Sequence, residues 1–215
     1  MKIAAVVAAY NEEERIVAVL DAIKSAKLVD EIVVVSDGST DATYQIASAY
    51  PDVTAIELAV NRGKGGAMRV GAESTDADIL LFLDADLIGM DGEKVDAIAM
   101  PVVDDTADMA IGIFKSGRRS TDLAQVIAPY ISGQRAMRRD VFVSIPNLDN
   151  VRSGVETAIT KYYRSHNLRV KRVDLFGCTH CMKEEKRGFI KGFLGRLRMY
   201  YDIGKIALDG RSFKR

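Results

Sequence analysis

The chain has 215 residues, 48% of them hydrophobic and 28% charged, and its 30 basic residues balance 30 acidic ones. That size and balance suit one soluble α/β domain with a full core and exclude a general electrostatic pull toward nucleic acid. No apolar run approaches the ~18 residues of a membrane-crossing helix. The short apolar start reads as a buried strand rather than a leader, so a cytoplasmic protein with reduced cysteines is expected.

Ile3–Ala9 is the first predicted strand, followed by a helix from Asn11 or Glu12 to about Lys27. In that helix Ile16, Val19, Leu20 and Ile23 recur at helical spacing, and Glu12–Glu14 sit at the positive end of the dipole. Glu31–Ser36 is a second buried strand. The turn Asp37-Gly38-Ser39-Thr40-Asp41 ends in N-cap residues, and a helix runs on to about Tyr50. Val53–Leu58 is strand three, and the glycine-rich Asn61-Arg62-Gly63-Lys64-Gly65-Gly66 feeds a helix over Ala67–Glu73. The five apolar residues Ile79 to Leu83 then form a strand buried on both faces, ending in Asp84-Ala85-Asp86.

Four alternations of strand and helix predict a parallel sheet with right-handed crossovers. Ligands of such sheets bind outside the carboxyl ends of the strands, where Tyr10, Glu12, Asp37, Lys64, Asp84 and Asp86 all fall. Asp84 and Asp86 are two apart in an extended segment, so they can converge on one ion, and hard oxygen ligands suit Mg²⁺ or Mn²⁺. Lys64 and the loop amides favour an anion, so the edge matches a nucleotide diphosphate with a divalent cation. A P-loop is absent, and Gly63-Lys64-Gly65-Gly66 does not fit the dinucleotide fingerprint. Taken alone, two acids at a strand end also suit a simple cap and turn.

The second half is less regular. Ala107–Phe114 reads as a strand, Lys115–Tyr130 as a polar loop with a short helix, and 131–139 as a basic segment. A helix is expected from about Ser153 to His166, with Gly154-Val155-Glu156 in its first turn, and Arg169–Phe176 as a closing strand. Cys178 and Cys181 frame Thr179-His180, but without a second ligand pair they read as ordinary thiols. The chain divides into residues 1–188, with halves 1–90 and 91–188, and a basic amphipathic tail over 189–215. From Lys183 to Arg215 there are ten Lys or Arg against four Asp or Glu. Phe189, Phe193, Leu197, Tyr200, Tyr201 and Leu208 form one stripe there, suited to a membrane interface, to the chain's own domain or to a second subunit.

Four ordered motifs resemble those of the family 2 glycosyltransferases of the GT-A fold. Ala9-Tyr10-Asn11-Glu12-Glu13 is similar to P-A-Y-N-E, and Val35-Ser36-Asp37-Gly38-Ser39-Thr40-Asp41 to V-D-D-G-S-T-D. Asn61-Arg62-Gly63-Lys64-Gly65 resembles N-x-G-K-G, and Leu83-Asp84-Ala85-Asp86 the metal-binding L-D-A-D. Ala8 replaces the usual proline, and Ser36 the first acid of D-D. Ser132-Gly133-Gln134-Arg135 and Gly154-Val155-Glu156 are similar to the acceptor segment and helix of the polyprenyl-phosphate glycosyltransferase and glucosyl-3-phosphoglycerate synthase branches.

The resemblance implies a Rossmann-like, mostly parallel sheet and transfer of a sugar from a UDP- or GDP-linked donor to an acceptor bearing phosphate or linked to lipid. It implies that Ala8, Tyr10 and Glu12 line the nucleoside, that Asp37 meets the base, and that Lys64 lies near the ribose or diphosphate. Asp84 with Ala85 would approach the ribose, and Asp84, Asp86 and His180 would hold Mg²⁺ or Mn²⁺. Ser132, Gly133, Gln134 and Arg135 would face the acceptor. Glu156 is the candidate general base, with Asp149 behind it. Glu12 and Glu156 also suit plain helix N-terminal acids, Lys64 a solvated lysine, and Arg135, Arg138 and Arg139 a solvated face. A catalytically silent nucleotide-sugar module and a sugar-1-phosphate nucleotidyltransferase are the competing functions; the latter needs a glycine-rich loop where Tyr10-Asn11-Glu12 stands. The implied location is cytoplasmic, with a peripheral contact at the inner membrane face if the acceptor is lipid-linked.

Overall fold

The computed structural model describes residues 1–115, 132–151 and 154–180, without the side chains of Asn150 and His180. The loop expected over 115–130 therefore lies almost wholly outside the described residues, and the helix expected over 189–208 entirely so. Met1–Thr179 is one compact unit. Among the described residues no helix is long and apolar enough to cross a membrane.

The elements are β1 (Ile3–Ala9), α1 (Ile16–Lys24), β2 (Glu31–Ser36), α2 (Thr43–Ala49), β3 (Val53–Glu57), α3 (Lys64–Glu73), β4 (Ile79–Asp84) and β5 (Leu87–Ile88). They continue with α4 (Gly92–Val103), β6 (Met109–Lys115), β7 (Arg135–Arg138), α5 (Arg139–Ser144), α6 (Val155–Ser165) and β8 (Val170–Phe176). The central sheet has seven strands in the order β3-β2-β1-β4-β7-β6-β8. All pairs are parallel except those of β7, which runs antiparallel to both β4 and β6. This is the mostly parallel α/β architecture expected.

Strand periodicity assigns the two faces. Ile3, Ala5, Val7, Leu81 and Leu83 pack with α1 and α4, through Ile16, Leu20, Val95 and Ile98. Ala4, Val6, Leu80 and Phe82 pack on the other face with α3, α5 and α6, through Met68, Phe142, Val155 and Ile159. Successive strand residues point to opposite sides, so Asp84 continues the Leu80–Phe82 row toward α3 and α6. From β1 the chain winds outward to β2 and β3, then returns to place β4 on the other flank of β1. Ala8 and Asp84 are register partners across that junction, the crevice where open α/β sheets bind ligands.

Several expectations are corrected. α1 begins at Ile16, with no acid in its first turn. Glu12–Glu14 precede it, and the Glu13 carboxylate accepts from the Ala42 amide (2.9 Å) instead. α3 begins at Lys64, because Gly63 takes φ 82° as its N-cap, a conformation that costs glycine little. The basic segment holds the interior strand β7, and α4 forms where no helix was expected.

Candidate functional site

The site is built on the ends of β1, β2 and β4 and the first turns of α3 and α6. The β1 and β2 loops brace one another. Asn11 adopts φ 57° and its Oδ1 accepts from the Thr40 amide (2.8 Å), while the Glu12 amide donates to Thr43 Oγ1 (2.8 Å). Asn11 and Thr40 are short polar side chains inside the motifs, and Thr43 follows the second motif by two residues. Ala8 and Glu12 are half-buried at this edge, and Tyr10 is exposed.

Asp37, at the end of β2, is 4% exposed. Its Oδ1 accepts from the Arg62 amide (2.7 Å) and its Oδ2 from the Gly63 amide (2.8 Å), and Asn61 Nδ2 donates to its carbonyl (2.9 Å). Asp37 thus clamps the turn that launches α3. Each carboxylate oxygen has a second lone pair left for a ligand.

The centre of the site is a group of charges. Lys64 Nζ lies 2.6 Å from Asp84 Oδ1 and 2.6 Å from Glu156 Oε1. Burial opposes the lysine's charge, but Asp84 and Glu156 outweigh it and hold its pKa above the ordinary value. Gln134 Nε2 donates to Asp84 Oδ2 (2.8 Å), and Ser132 Oγ donates to Gln134 Oε1 (2.8 Å). Gly133 passes so close that an added Cβ would lie 2.5 Å from Asp84 Oδ1 and 2.6 Å from Lys64 Nζ. Behind them Arg135 is fully buried; its Nη2 donates to the Ser132 carbonyl (2.5 Å) and its Nη1 to the Glu156 carbonyl (3.3 Å). Burial depresses its pKa, with Glu156 and Asp84 opposing that effect.

The expected residues divide accordingly. Lys64, Asp84, Ser132, Gly133, Gln134, Arg135 and Glu156 come together, although the first and last of them are 92 positions apart with Lys64 as the nearer to the N-terminus. Gln134 and Arg135 face the fold's interior. Ala85 is buried and Asp86 half-buried in the turn after β4. Asp149 pairs with Arg69 (3.4 Å) rather than joining the group. Arg138 is the register partner of Ile79, at the opposite end of β4 from Asp84. The side chain of His180 lies outside the described residues.

Among the described residues no three metal-ligating side chains cluster. A Mg²⁺-like ion needs no such cage, being held by one or two carboxylates with substrate phosphates. Asp86, a half-buried carboxylate beside the crevice, fits that donor chemistry, and Lys64 and Gln134 already engage both oxygens of Asp84.

A dolichyl-phosphate beta-glucosyltransferase of Drosophila melanogaster is 43% identical over 101 residues, covering 40% of this chain and 31% of that protein. The matched stretch thus spans about a third of that relative's length. The glucosyl-3-phosphoglycerate synthase of Mycobacterium tuberculosis, solved with Mn²⁺, UDP and glucosyl-3-phosphoglycerate, superposes with a TM-score of 0.68 at 26% identity over 84% of this chain and 72% of that one. Its complex with Mg²⁺ and UDP gives a TM-score of 0.66 at 27% identity over 84% and 71% of the two chains. The family described as Glycosyl transferase family 2 matches residues 4–184. The sheet, its ligand crevice and that match agree: the chain belongs to glycosyl transferase family 2.

Proposed function

We propose that this protein transfers glucose from UDP-glucose to an acceptor that carries a phosphate, with Mg²⁺ or Mn²⁺. The observation that carries the reading is the meeting of Lys64, Asp84 and Glu156 at the switch point of the sheet. UDP and glucose in the synthase complexes, and glucose and a phosphate acceptor in the names of both relatives, support the choice of donor and acceptor.

The nucleoside would lie over Ala8, Tyr10 and Glu12, with the lone pairs left on Asp37 turned to the base. Asp84 and Ala85 would border the ribose, and Asp86 would hold the cation against the diphosphate. That cation supplies Lewis-acid neutralisation of the charge that grows on the leaving diphosphate. Lys64 adds a fixed positive charge from the first residue of α3, at the end of the helix that favours anions. Glu156 takes the proton when the nucleophile is a neutral hydroxyl or water. A phosphate nucleophile is largely ionised at pH 7 and needs no such base. Ser132 and Gly133 would form the wall toward the acceptor.

The test is incubation with UDP-glucose and Mn²⁺, with 3-phosphoglycerate and dolichyl phosphate as alternative acceptors, following UDP release and the glucosylated product. Release that needs the cation and disappears in D86A supports the proposal. No release with either acceptor or with water leaves a module that binds nucleotide-sugar without turning it over. Glu156→Gln is expected to slow water or hydroxyl acceptors by about 10²–10⁴-fold and to spare a phosphate nucleophile.

A further inference from the structure

We infer that Arg135 is a positioning residue for Glu156: it fixes the first turn of α6 against the Ser132–Gln134 segment without touching the substrate. The inference rests on the proposed role of Glu156. Arg135 sits in β7, paired with Phe82 of β4 and Ile111 of β6, and has no exposed surface. An acceptor therefore has no route to its guanidinium.

The geometry says what the guanidinium does instead. One arm of the fork donates to the Ser132 carbonyl (2.5 Å) and the other to the Glu156 carbonyl (3.3 Å), with Met109 Sδ 4.0 Å from the latter nitrogen. Ser132 and Glu156 are not close in sequence, so a planar two-armed donor ties two separate segments in one orientation. A lysine ammonium is a single point and lacks that fork. The Glu156 carbonyl also accepts from Thr160 Oγ1 (2.8 Å), so the backbone at this residue is held from two sides.

Charge gives the second argument. Asp84 and Glu156 bring two negative charges to the site and Lys64 one positive charge; Arg135 supplies the fourth charge and brings the group to neutrality. A buried cation is costly, and removing this one alone leaves the group with a net negative charge and two carbonyls without their donor, which lowers stability as well. What an apolar replacement cannot supply is the fixed placement of the Glu156 backbone beneath Lys64.

The test compares R135M, E156Q and R135M/E156Q with the unaltered protein, using UDP-glucose and Mn²⁺ in water as the probe. A misplacement near 1 Å at a reacting group can cost about 10²-fold. R135M is therefore expected to lower the rate of UDP release by about ten- to a hundredfold while the melting-temperature shift produced by UDP and Mn²⁺ stays as in the unaltered protein. In the E156Q background R135M should cause no further fall, because its effect passes through Glu156. R135K, which keeps the charge, should not restore the rate, and it serves as the test variant if R135M is not obtained folded. An R135M rate equal to the unaltered one overturns the inference, and so does a further fall of the same size in E156Q. Loss of the UDP–Mn²⁺ shift also overturns it, since the effect would then run through Asp84 and Gln134. If E156Q itself releases UDP at full rate, the proposed role of Glu156 fails first, and the inference with it.

Discussion

Replacing Lys64 by methionine removes the ammonium that bridges Asp84 and Glu156, and its cost can be set from the geometry. Breaking a buried ion pair from one side costs about 3–5 kcal/mol, because a carboxylate is left without its cation. The lysine side chain is 31% exposed, and those of Asp84 and Glu156 are 17% and 12% exposed. Water therefore screens part of the penalty, which brings the expected loss to about 2–3 kcal/mol. For a chain of this size each kcal/mol moves the melting temperature by about 2–4 °C, so K64M should melt about 4–12 °C lower. The assay is thermal unfolding at pH 7 followed by far-ultraviolet circular dichroism. The loss comes from uncompensated carboxylates, so K64M/E156Q should recover part of it. A K64M protein melting within about 1 °C of the unaltered one, or a double variant less stable than K64M, would refute the reasoning.

Two further outcomes follow from other contacts. Gly133→Ala forces a methyl group into the space of the Asp84 carboxylate and Lys64 Nζ; calorimetric titration with UDP and Mn²⁺ should show affinity reduced by about tenfold or more, roughly 1.4 kcal/mol, and undiminished affinity would place the donor elsewhere. Arg169 donates to Asp108 through its amide (2.6 Å), Nε (3.2 Å) and Nη2 (2.9 Å), and these bonds hold the Asp108 carboxyl below the usual range. A depressed carboxyl pKa stabilises the fold above the unfolded value of about 3.9, and that contribution fades as pH falls through the folded value. The difference in melting temperature between the unaltered protein and R169A should therefore be present at pH 7 and close below about pH 4; a difference constant down to pH 2 would refute the assignment.

The first ninety residues were legible because local and global signals agree there. Ile79 to Leu83 could only be a strand covered on both faces, and the two acids after it had to lie at its carboxyl end. β7 was not legible. Its four residues are Arg135, Ala136, Met137 and Arg138, and basic side chains at both ends mask a strand that nevertheless lies in the sheet interior. Only tertiary contacts make a buried Arg135 tolerable, and those come from Ser132 and from Glu156 on a distant helix. The start of α1 differs for a related reason: of the glutamates that suit a helix N-terminus, Glu13 is engaged by the Ala42 amide of the neighbouring β2 loop and Glu14 by Arg15. The resemblance placed Gln134 and Arg135 toward an acceptor, whereas both are buried, Gln134 against Asp84 and Arg135 between β4 and β6.

The antiparallel insertion of β7 has a consequence for how the chain comes off the ribosome. β4 is a nearly continuous apolar strand flanked by β1 and β7, but Gln134, the residue just before β7, follows Asp84 by 50 residues. While those residues are being made, one side of Ile79–Leu83 offers unpaired amides and carbonyls beside apolar side chains, the arrangement that recruits strands from other chains. Folding proceeds largely from the N-terminus during synthesis, so the nascent protein passes through a sticky interval. It ends when β7 docks, the step that also carries Gln134 to Asp84; the chain stops being prone to aggregate when its charge cluster begins to assemble.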